Sequence, residues 1–404
     1  MKISEDGNQL EMRQPDNWHA HFRQGELLQF LVPVFIMYGW CGRVVAEPNT
    51  VPPILTGAEA VEYGKLIHEV AYREHYGTWG HNFEPVVTIQ ITEQTTPEIV
   101  RDAHTQGVRV CKVYPRYVTT HSENGVVHYR NIYPALQVAE ELGMVVQFHP
   151  EHPSYDVVGR LKEEAFIGIL EGIHKEFPRL KISVEHVSSK AMVYWVKAQD
   201  EMVGASVTVH HLYQTADDLA GYSERSGGLC LVHDGAFKPG AKDPEDRAAI
   251  LEAVLSGNPK FWYGGDDAWH LKSKKHCARV ACGAGNTIAS ISLLISLFEK
   301  AGQLDKLEPF LSEHGAKFYG YPISEDTITL ERHLWVVPNE LEIPELKDSA
   351  VPFYAGETME WAIDDTVTVE MDLEAFEESC SEIMKREKEE SQASAERAKG
   401  IIVS

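Results

Sequence analysis

The chain has 404 residues, of which 43% are hydrophobic, and it carries a formal net charge of −24. This length exceeds one small core and fits a single large α/β domain with additions. The negative charge repels a phosphate backbone and an anionic membrane surface, so neither nucleic acid nor a membrane is an expected partner. The longest apolar stretches, such as residues 27–40, are too short or too interrupted to span a bilayer. The polar, acidic start predicts no signal peptide.

Short β-rich runs recur as far as residue 267, each bounded by Gly, Pro, Asn or other polar residues. Helical patterns lie between most of them. Eight strands alternating with helices over roughly 250 residues are typical of a (β/α)8 TIM barrel, although an open doubly wound sheet alternates in the same way. The count of eight favours the barrel. The predicted strands are 17–22, 42–49, 85–92, 108–115, 144–151, 181–187, 204–211 and 261–267.

The helical pattern is clearest in four stretches, and the remainder of the chain is divided by composition. Gly107 and Gly143 stand where the first two helices should end. A Pro-rich, β-leaning segment then runs to about residue 371, and we expect residues 1–371 to form one barrel domain with flanking β segments. Residues 372–404 begin as an amphipathic helix and become almost entirely charged and small, which predicts a charged helical C-terminal tail. The four predicted helices are 95–107, 130–143, 243–257 and 286–302.

The six cysteines are scattered and form no CxxC pair. This usage indicates reduced thiols in a cytoplasmic protein. Cys277 and Cys282 are close enough in sequence to serve as a metal pair, but packing is the favoured interpretation.

Ionisable residues stand at or near the carboxyl ends of the predicted strands. In a barrel these ends converge on the face that carries active sites. Taken singly, each residue has an ordinary structural role: a buried hydrogen-bonding His, a helix-capping Asp or a snorkelling Lys. Together they would leave costly unsatisfied groups in the absence of a metal, and imidazole and carboxylate are suitable ligands of Zn²⁺. The residues are His19, His21, Lys112, His149, His186 and Asp266.

Ten stretches of this chain match a known family in order, over about residues 10–365. They include "DNWHAHFRQGELL", "EPNTVPPILT", "KVYPRYVTTHSENGV", "FHPE", "SVEHVSSK", "TVHHLY", "GGDDAWH" and "VPFYAGETMEW". On these motifs the chain resembles the dihydroorotases of the short monofunctional type, within the amidohydrolase superfamily. A lone HxH would be a weak signal, whereas the ordered set is highly specific.

The resemblance implies two divalent metal ions, expected to be Zn²⁺. His19 and His21 would bind one ion, with Asp266 completing that site, and His149 and His186 would bind the other. Lys112 would be carboxylated by CO₂, and its carbamate would bridge the pair. The chemistry is reasonable because an ammonium cannot act as a ligand, whereas a carbamate offers two anionic oxygens.

The resemblance also implies reversible hydrolysis of dihydroorotate to N-carbamoyl-aspartate. Asp266 would carry the proton between the attacking water and the leaving nitrogen. The family holds the substrate carboxylate with an Arg, an Asn and a His, which correspond to Arg23, Asn49 and His270. Surface charge, a turn residue and a helix-start His remain as ordinary explanations of the three, but an Arg fork suits a carboxylate well and all three family positions are filled. A homodimer is compatible with this sequence, which does not determine the oligomeric state.

The segment 114–126 is long for a βα loop. From its length alone, a lid and an ordinary surface excursion are equally good interpretations. The family carries two adjacent threonines on a loop that folds over bound substrate, and they match Thr119 and Thr120. We therefore expect a lid, with Gly125 as its hinge.

Three residues depart from the family pattern. Glu47 replaces the usual Met, Asp267 stands beside Asp266, and Trp269 replaces a Pro beside His270. We expect these changes to leave the metal ligands alone and to alter the substrate wall. They keep open a hydrolase for another cyclic amide or imide. An inactive scaffold with this fold is a third alternative, against which the complete ligand set argues.

Overall fold

The computed structural model describes residues 1–72, 82–224, 228 and 235–363. Eight parallel strands follow one another in strict chain order. All eight predicted strands are present, with ends displaced by a few residues. Barrel strands 1 to 8 are Asp16–Ala20, Arg43–Ala46, Glu84–Ile91, Val110–Val113, Val145–Phe148, Lys181–Val184, Val203–Val207 and Phe261–Tyr263.

The sheet closes between strand 8 and strand 1. Just beyond strand 8, the Asp266 amide donates to the His19 carbonyl at 2.9 Å, and the His21 amide donates to the Asp267 carbonyl at 2.9 Å. Most barrel-strand residues are buried, as expected for a parallel sheet that is covered on both faces. The fold is therefore the expected (β/α)8 barrel.

Helices cover the outside of the barrel. Several begin with hydroxyl caps, such as Thr56, whose side chain forms a capping box with Glu59. The four predicted helices are present. Gly107 and Gly143 follow the first two of them, with positive φ values of 98° and 67°. The longer helices are Glu26–Gly39, Gly57–Ala71, Pro97–Thr105, Tyr133–Glu141, Lys162–Glu176, Lys190–Ala198, Pro244–Leu255 and Thr287–Lys300, and the shorter ones are Val209–Tyr213, Ala216–Ala220, Lys272–Lys275 and His314–Tyr319.

Residues 303–320 differ from the sequence expectation of a β-leaning segment. They form the turns Leu304–Lys306 and Pro309–Glu313 and then the helix His314–Tyr319. Leu307, Phe310 and Leu311 recur at helical spacing and are buried, and a Pro is tolerated in a first helical turn. Tyr319 stacks on Trp18 with ring centroids 4.3 Å apart, so the helix His314–Tyr319 covers the amino end of the barrel.

The two ends of the described chain meet in one antiparallel sheet outside the barrel. Strands Gln9–Arg13 and Thr358–Ile363 flank Thr327–Val336, and Lys2–Ile3 adds an edge. A further hairpin pairs Leu341–Ile343 with Asp348–Ala350. The predicted tail, 372–404, lies outside the described residues. Among the described helices, none has the length and apolar character needed to cross a bilayer.

Candidate metal centre and substrate pocket

Two histidines and one aspartate converge at the carboxyl end of the barrel. His21 Nε2 lies 3.1 Å from Asp266 Oδ1, and His19 Nε2 lies 3.4 Å from the same oxygen. All three side chains are buried. Asp266 reaches this position with a φ of 47°, a conformation that L residues rarely adopt. These three donors could hold a metal ion.

Glu185 orients His19. Its Oε2 lies 2.5 Å from His19 Nδ1 and also accepts a hydrogen bond from Ser206 Oγ at 2.9 Å. Burial lowers the pKa of His19 well below its ordinary value and that of His21 to about 3, so both rings are neutral. When Nδ1–H of His19 donates to Glu185, the lone pair of Nε2 faces Asp266, which is how a carboxylate usually orients a metal-binding histidine.

His149 and His186 form a second pair of imidazoles next to the first. Their ring centroids are 4.7 Å apart, and those of His186 and His19 are 5.1 Å apart. His149 Nε2 contacts Glu151 Oε2 at 2.8 Å, which leaves Nδ1 for another partner. His186 follows strand 6 at a φ of 39°, and its Nδ1 has no hydrogen-bond partner among the described residues. The pair therefore offers His149 Nδ1 and His186 Nδ1 as potential ligand atoms.

Lys112 lies inside the barrel at strand 4 with no solvent exposure. Its Nζ is 3.2 Å from Glu47 Oε2, and that oxygen accepts a hydrogen bond from Tyr114 Oη at 2.7 Å. Glu47 Oε1 lies 3.5 Å from His19 Nδ1. The expectation that the departure at Glu47 leaves the metal ligands alone is therefore wrong, because this carboxylate contacts two of them.

Arg23 and His270 lie together on the rim of this centre. Arg23 Nη2 is 3.2 Å from His270 Nε2, and Arg23 Nε donates to the Trp269 carbonyl at 3.2 Å. His270 Nε2 is also 3.0 Å from the Cys282 carbonyl. The same carbonyl accepts from Thr120 Oγ1 at 3.2 Å.

The segment after strand 4 reaches across to the same rim. Asn49 Nδ2 donates to the Thr120 carbonyl at 3.0 Å. Thr119 closes a local turn with Ser122, whose Oγ donates to the Thr119 carbonyl at 2.6 Å. The structure thus brings all five predicted substrate residues to one place. Gly125 is not a free hinge: a Cβ there would lie 2.6 Å from the backbone of Pro115 and Arg116, so the glycine permits a close backbone approach.

Asp267 and Trp269 do not form the substrate wall, contrary to the sequence expectation. Asp267 accepts hydrogen bonds from Asn17 Nδ2 and Thr287 Oγ1, each at 2.8 Å. Trp269 Nε1 donates to the same Thr287 hydroxyl at 3.0 Å. Both side chains are buried, because the turn after strand 8 directs them toward the helix that begins at Thr287.

Sequence reasoning missed Glu47, Glu151 and Glu185 as partners of the centre. Each stands within two residues of a strand end or of a predicted ligand. Glu151 and Glu185 lie inside the family motifs, so adjacency to His149 and His186 was the available signal. The contact of Glu47 with Lys112 joins strands 2 and 4, and no local sequence pattern indicates it.

Comparison with known proteins finds dihydroorotases both by sequence and by structure. No family model matches the chain. The dihydroorotase of Vibrio vulnificus (strain CMCP6) is 36% identical over 356 residues, which cover 88% of this chain and 99% of that protein. The crystal structure of Saccharomyces cerevisiae dihydroorotase in complex with 5-fluoroorotic acid has a TM-score of 0.79 at 27% identity, covering 88% of this chain and 98% of that one. Campylobacter jejuni dihydroorotase has a TM-score of 0.78 at 28% identity, covering 90% and 99%.

Proposed function

The chain belongs to the dihydroorotase family, and on that basis we propose that it interconverts (S)-dihydroorotate and N-carbamoyl-L-aspartate in de novo pyrimidine biosynthesis. The observation that carries the proposal is the convergence of six potential ligands, from the ends of five barrel strands, at one buried site. The family and the fold make it a hydrolase of carbon–nitrogen bonds in cyclic amides. The primary test is an assay of the purified protein with dihydroorotate, in which the loss of ring absorbance measures hydrolysis.

The proposed centre holds two divalent metal ions, with Zn²⁺ favoured by the imidazole-rich donor set. His19, His21 and Asp266 fit one ion. His149 and His186 supply two donors for the other, and a carbamate on Lys112 would complete both sites. When bound, the ions would polarise the amide carbonyl and lower the pKa of water toward neutrality.

Asp266 is proposed to move the proton. Burial raises the pKa of its carboxyl to about 7. The carboxylate lies 3.1 Å from His21 Nε2 and 3.4 Å from His19 Nε2, at the proposed centre, where it can accept a proton and return it. In the hydrolytic direction water adds to the ring carbonyl carbon, the carbon–nitrogen bond breaks, and Asp266 returns the water proton to the leaving nitrogen.

Arg23, Asn49 and His270 are proposed to hold the substrate carboxylate. Arg23 presents a fixed fork of donors, and Asn49 reaches the Thr120 carbonyl on the same rim. Burial keeps the pKa of His270 well below its ordinary value, so that its ring is a neutral hydrogen-bonding group. Thr119 and Thr120 would cover the bound ring. Because Asp267 and Trp269 are packed away from this pocket, they give no support to a different cyclic amide or imide as substrate. A panel of hydantoins, imides and dihydropyrimidines tests that alternative.

The protein is proposed to work in the cytoplasm on this small acidic substrate. Its net charge of −24 supports the expectation that it binds neither nucleic acid nor a membrane. A homodimer stays a prediction, which analytical ultracentrifugation of the purified protein would test.

Lys112→Ala tests the proposed bridge. We expect it to lose most activity and to reduce the bound metal, with partial rescue by short carboxylic acids that can occupy the vacated space. Lys242→Ala is the matched control, since Lys242 is also buried and lies 3.2 Å from a glutamate, Glu163. Metal analysis and kinetics should separate the two variants. Full metal content and activity in Lys112→Ala would refute the bridge.

Arg23→Met tests carboxylate recognition. We expect a rise in KM for dihydroorotate of about 10² or more, because a charged partner of a buried acceptor is lost. Dihydrouracil, the same ring without the carboxylate, is the control substrate and should show no comparable change. Equal turnover of dihydrouracil and dihydroorotate by the wild-type protein would overturn the assignment.

A further inference from the structure

The barrel closes at the seam between strands 8 and 1, and the side chain of one asparagine, Asn17, forms three hydrogen bonds at this seam. Asn17 Oδ1 accepts the Gly265 amide at 2.8 Å and the His19 amide at 3.2 Å. Its Nδ2 donates to Asp267 Oδ2 at 2.8 Å. Asn17 therefore joins the strand that carries the two histidines to the turn that carries Asp266.

Asp267 anchors the other side of this turn. Its side chain is fully buried, and its Oδ1 accepts a hydrogen bond from Thr287 Oγ1 at 2.8 Å. Thr287 begins the helix Thr287–Lys300 and also accepts from Trp269 Nε1. Asn17, Asp267, Thr287 and Trp269 thus form one buried hydrogen-bonded chain across the seam, which we call the seam network.

The seam network encloses a strained residue. Asp266 has a φ of 47°, and such a conformation persists only where the surrounding structure enforces it. The backbone on both sides is fixed, by the Asp266 amide to the His19 carbonyl and by the His21 amide to the Asp267 carbonyl. The Asp267 side chain adds two further bonds to this turn, from Asn17 Nδ2 and from Thr287 Oγ1.

We propose that Asp267 is a positioning residue, which through Asn17 and Thr287 holds Asp266 in the orientation needed to complete the first metal group and to transfer the proton. This inference rests on the proposed function. It assigns a role to a side chain that touches neither the donor atoms nor the pocket.

A charge swap tests the seam network. Asp267→Asn replaces one of the two acceptor oxygens by an amide donor, so either Asn17 Nδ2 or Thr287 Oγ1 loses its acceptor. In Asn17→Asp combined with Asp267→Asn, the amide at position 267 can donate to the carboxylate at position 17 while its oxygen still accepts from Thr287. We expect Asp267→Asn to lower kcat by about tenfold or more and to weaken metal binding about tenfold. This is the usual effect of losing a group that holds a metal ligand in place. KM should change little. The double variant should recover most of both losses. The absorption bands of the Co²⁺-substituted protein should shift in the single variant and return in the double variant.

Asp16→Asn is the control for a purely structural effect. Asp16 lies on the same strand as Asn17, is buried like Asp267 and accepts two hydrogen bonds from Arg43 at 3.0 and 2.9 Å. The Asp16→Asn variant should have a lower melting temperature, with metal affinity and the Co²⁺ spectrum unchanged. Wild-type kcat and metal affinity in Asp267→Asn, or losses that the double variant leaves unrestored, would overturn the proposal. A wild-type protein that neither binds two metals nor turns over dihydroorotate would instead refute the proposed function.

Discussion

Asp266 owes its proposed role to its surroundings as much as to its carboxylate. It is buried at a positive φ, its pKa is raised to about 7 by burial, and one oxygen lies within 3.4 Å of two imidazoles. Asn cannot accept a proton but nearly preserves the volume. We therefore expect Asp266→Asn to reduce kcat by about 10² or more with the fold intact, the usual contribution of a general base. Steady-state kinetics with circular dichroism would measure both. Asp267→Asn should have the smaller effect, and the reverse ranking would exchange the roles of the two residues.

The segment 114–126 is the element that we propose closes over the site. Thr120 reaches the Cys282 carbonyl, and Asn49 holds the Thr120 backbone. Hydroxyl groups placed here can donate to substrate and exclude water. We expect Thr119→Ala combined with Thr120→Ala to lower kcat strongly while the metal content and melting temperature stay near wild type. Stopped-flow and steady-state assays would measure the loss.

Limited proteolysis examines the same loop without substitution. Bound substrate should slow cleavage after Arg116, because closure removes the backbone from the protease. A normal kcat in the double threonine variant, or cleavage that is equally fast with and without substrate, would show that this loop is an ordinary surface loop and not a lid. The close packing of Gly125 against Pro115 and Arg116 indicates that any movement pivots outside that contact.

At the scale of the whole molecule, the proposed metal centre joins strands that are distant in sequence. Its proposed ligands lie on or directly after barrel strands 1, 4, 5, 6 and 8. A metal that binds the folded state alone stabilises it by mass action. We expect removal of the metals with a chelator to lower the melting temperature by about 5 °C or more. Differential scanning fluorimetry with metal analysis would measure the change, and re-addition of Zn²⁺ should reverse it. An unchanged melting temperature after verified metal loss would contradict the proposal.

Local patterns determined the framework of this protein. The eight strands, four helices and the glycines at 107 and 143 follow from short-range periodicity and from the conformational freedom of glycine. The six proposed ligands were predictable because they stand at strand ends, and barrel geometry sends all strand ends to one face. The resemblance added the pairing of those residues into two groups.

Only the tertiary structure decided how side chains are directed where the backbone leaves regular geometry. A period of two predicts the faces of a strand, but it says nothing about a turn in which Asp266 has a positive φ, so Asp267 and Trp269 were wrongly expected in the substrate wall. The contact of Glu47 with Lys112 and the helical turns of residues 303–320 depend on packing between segments far apart in sequence. The sequence specifies which groups are present at each strand end, whereas the closure of the barrel decides which of them meet, because the distances between strands are set by the sheet as a whole.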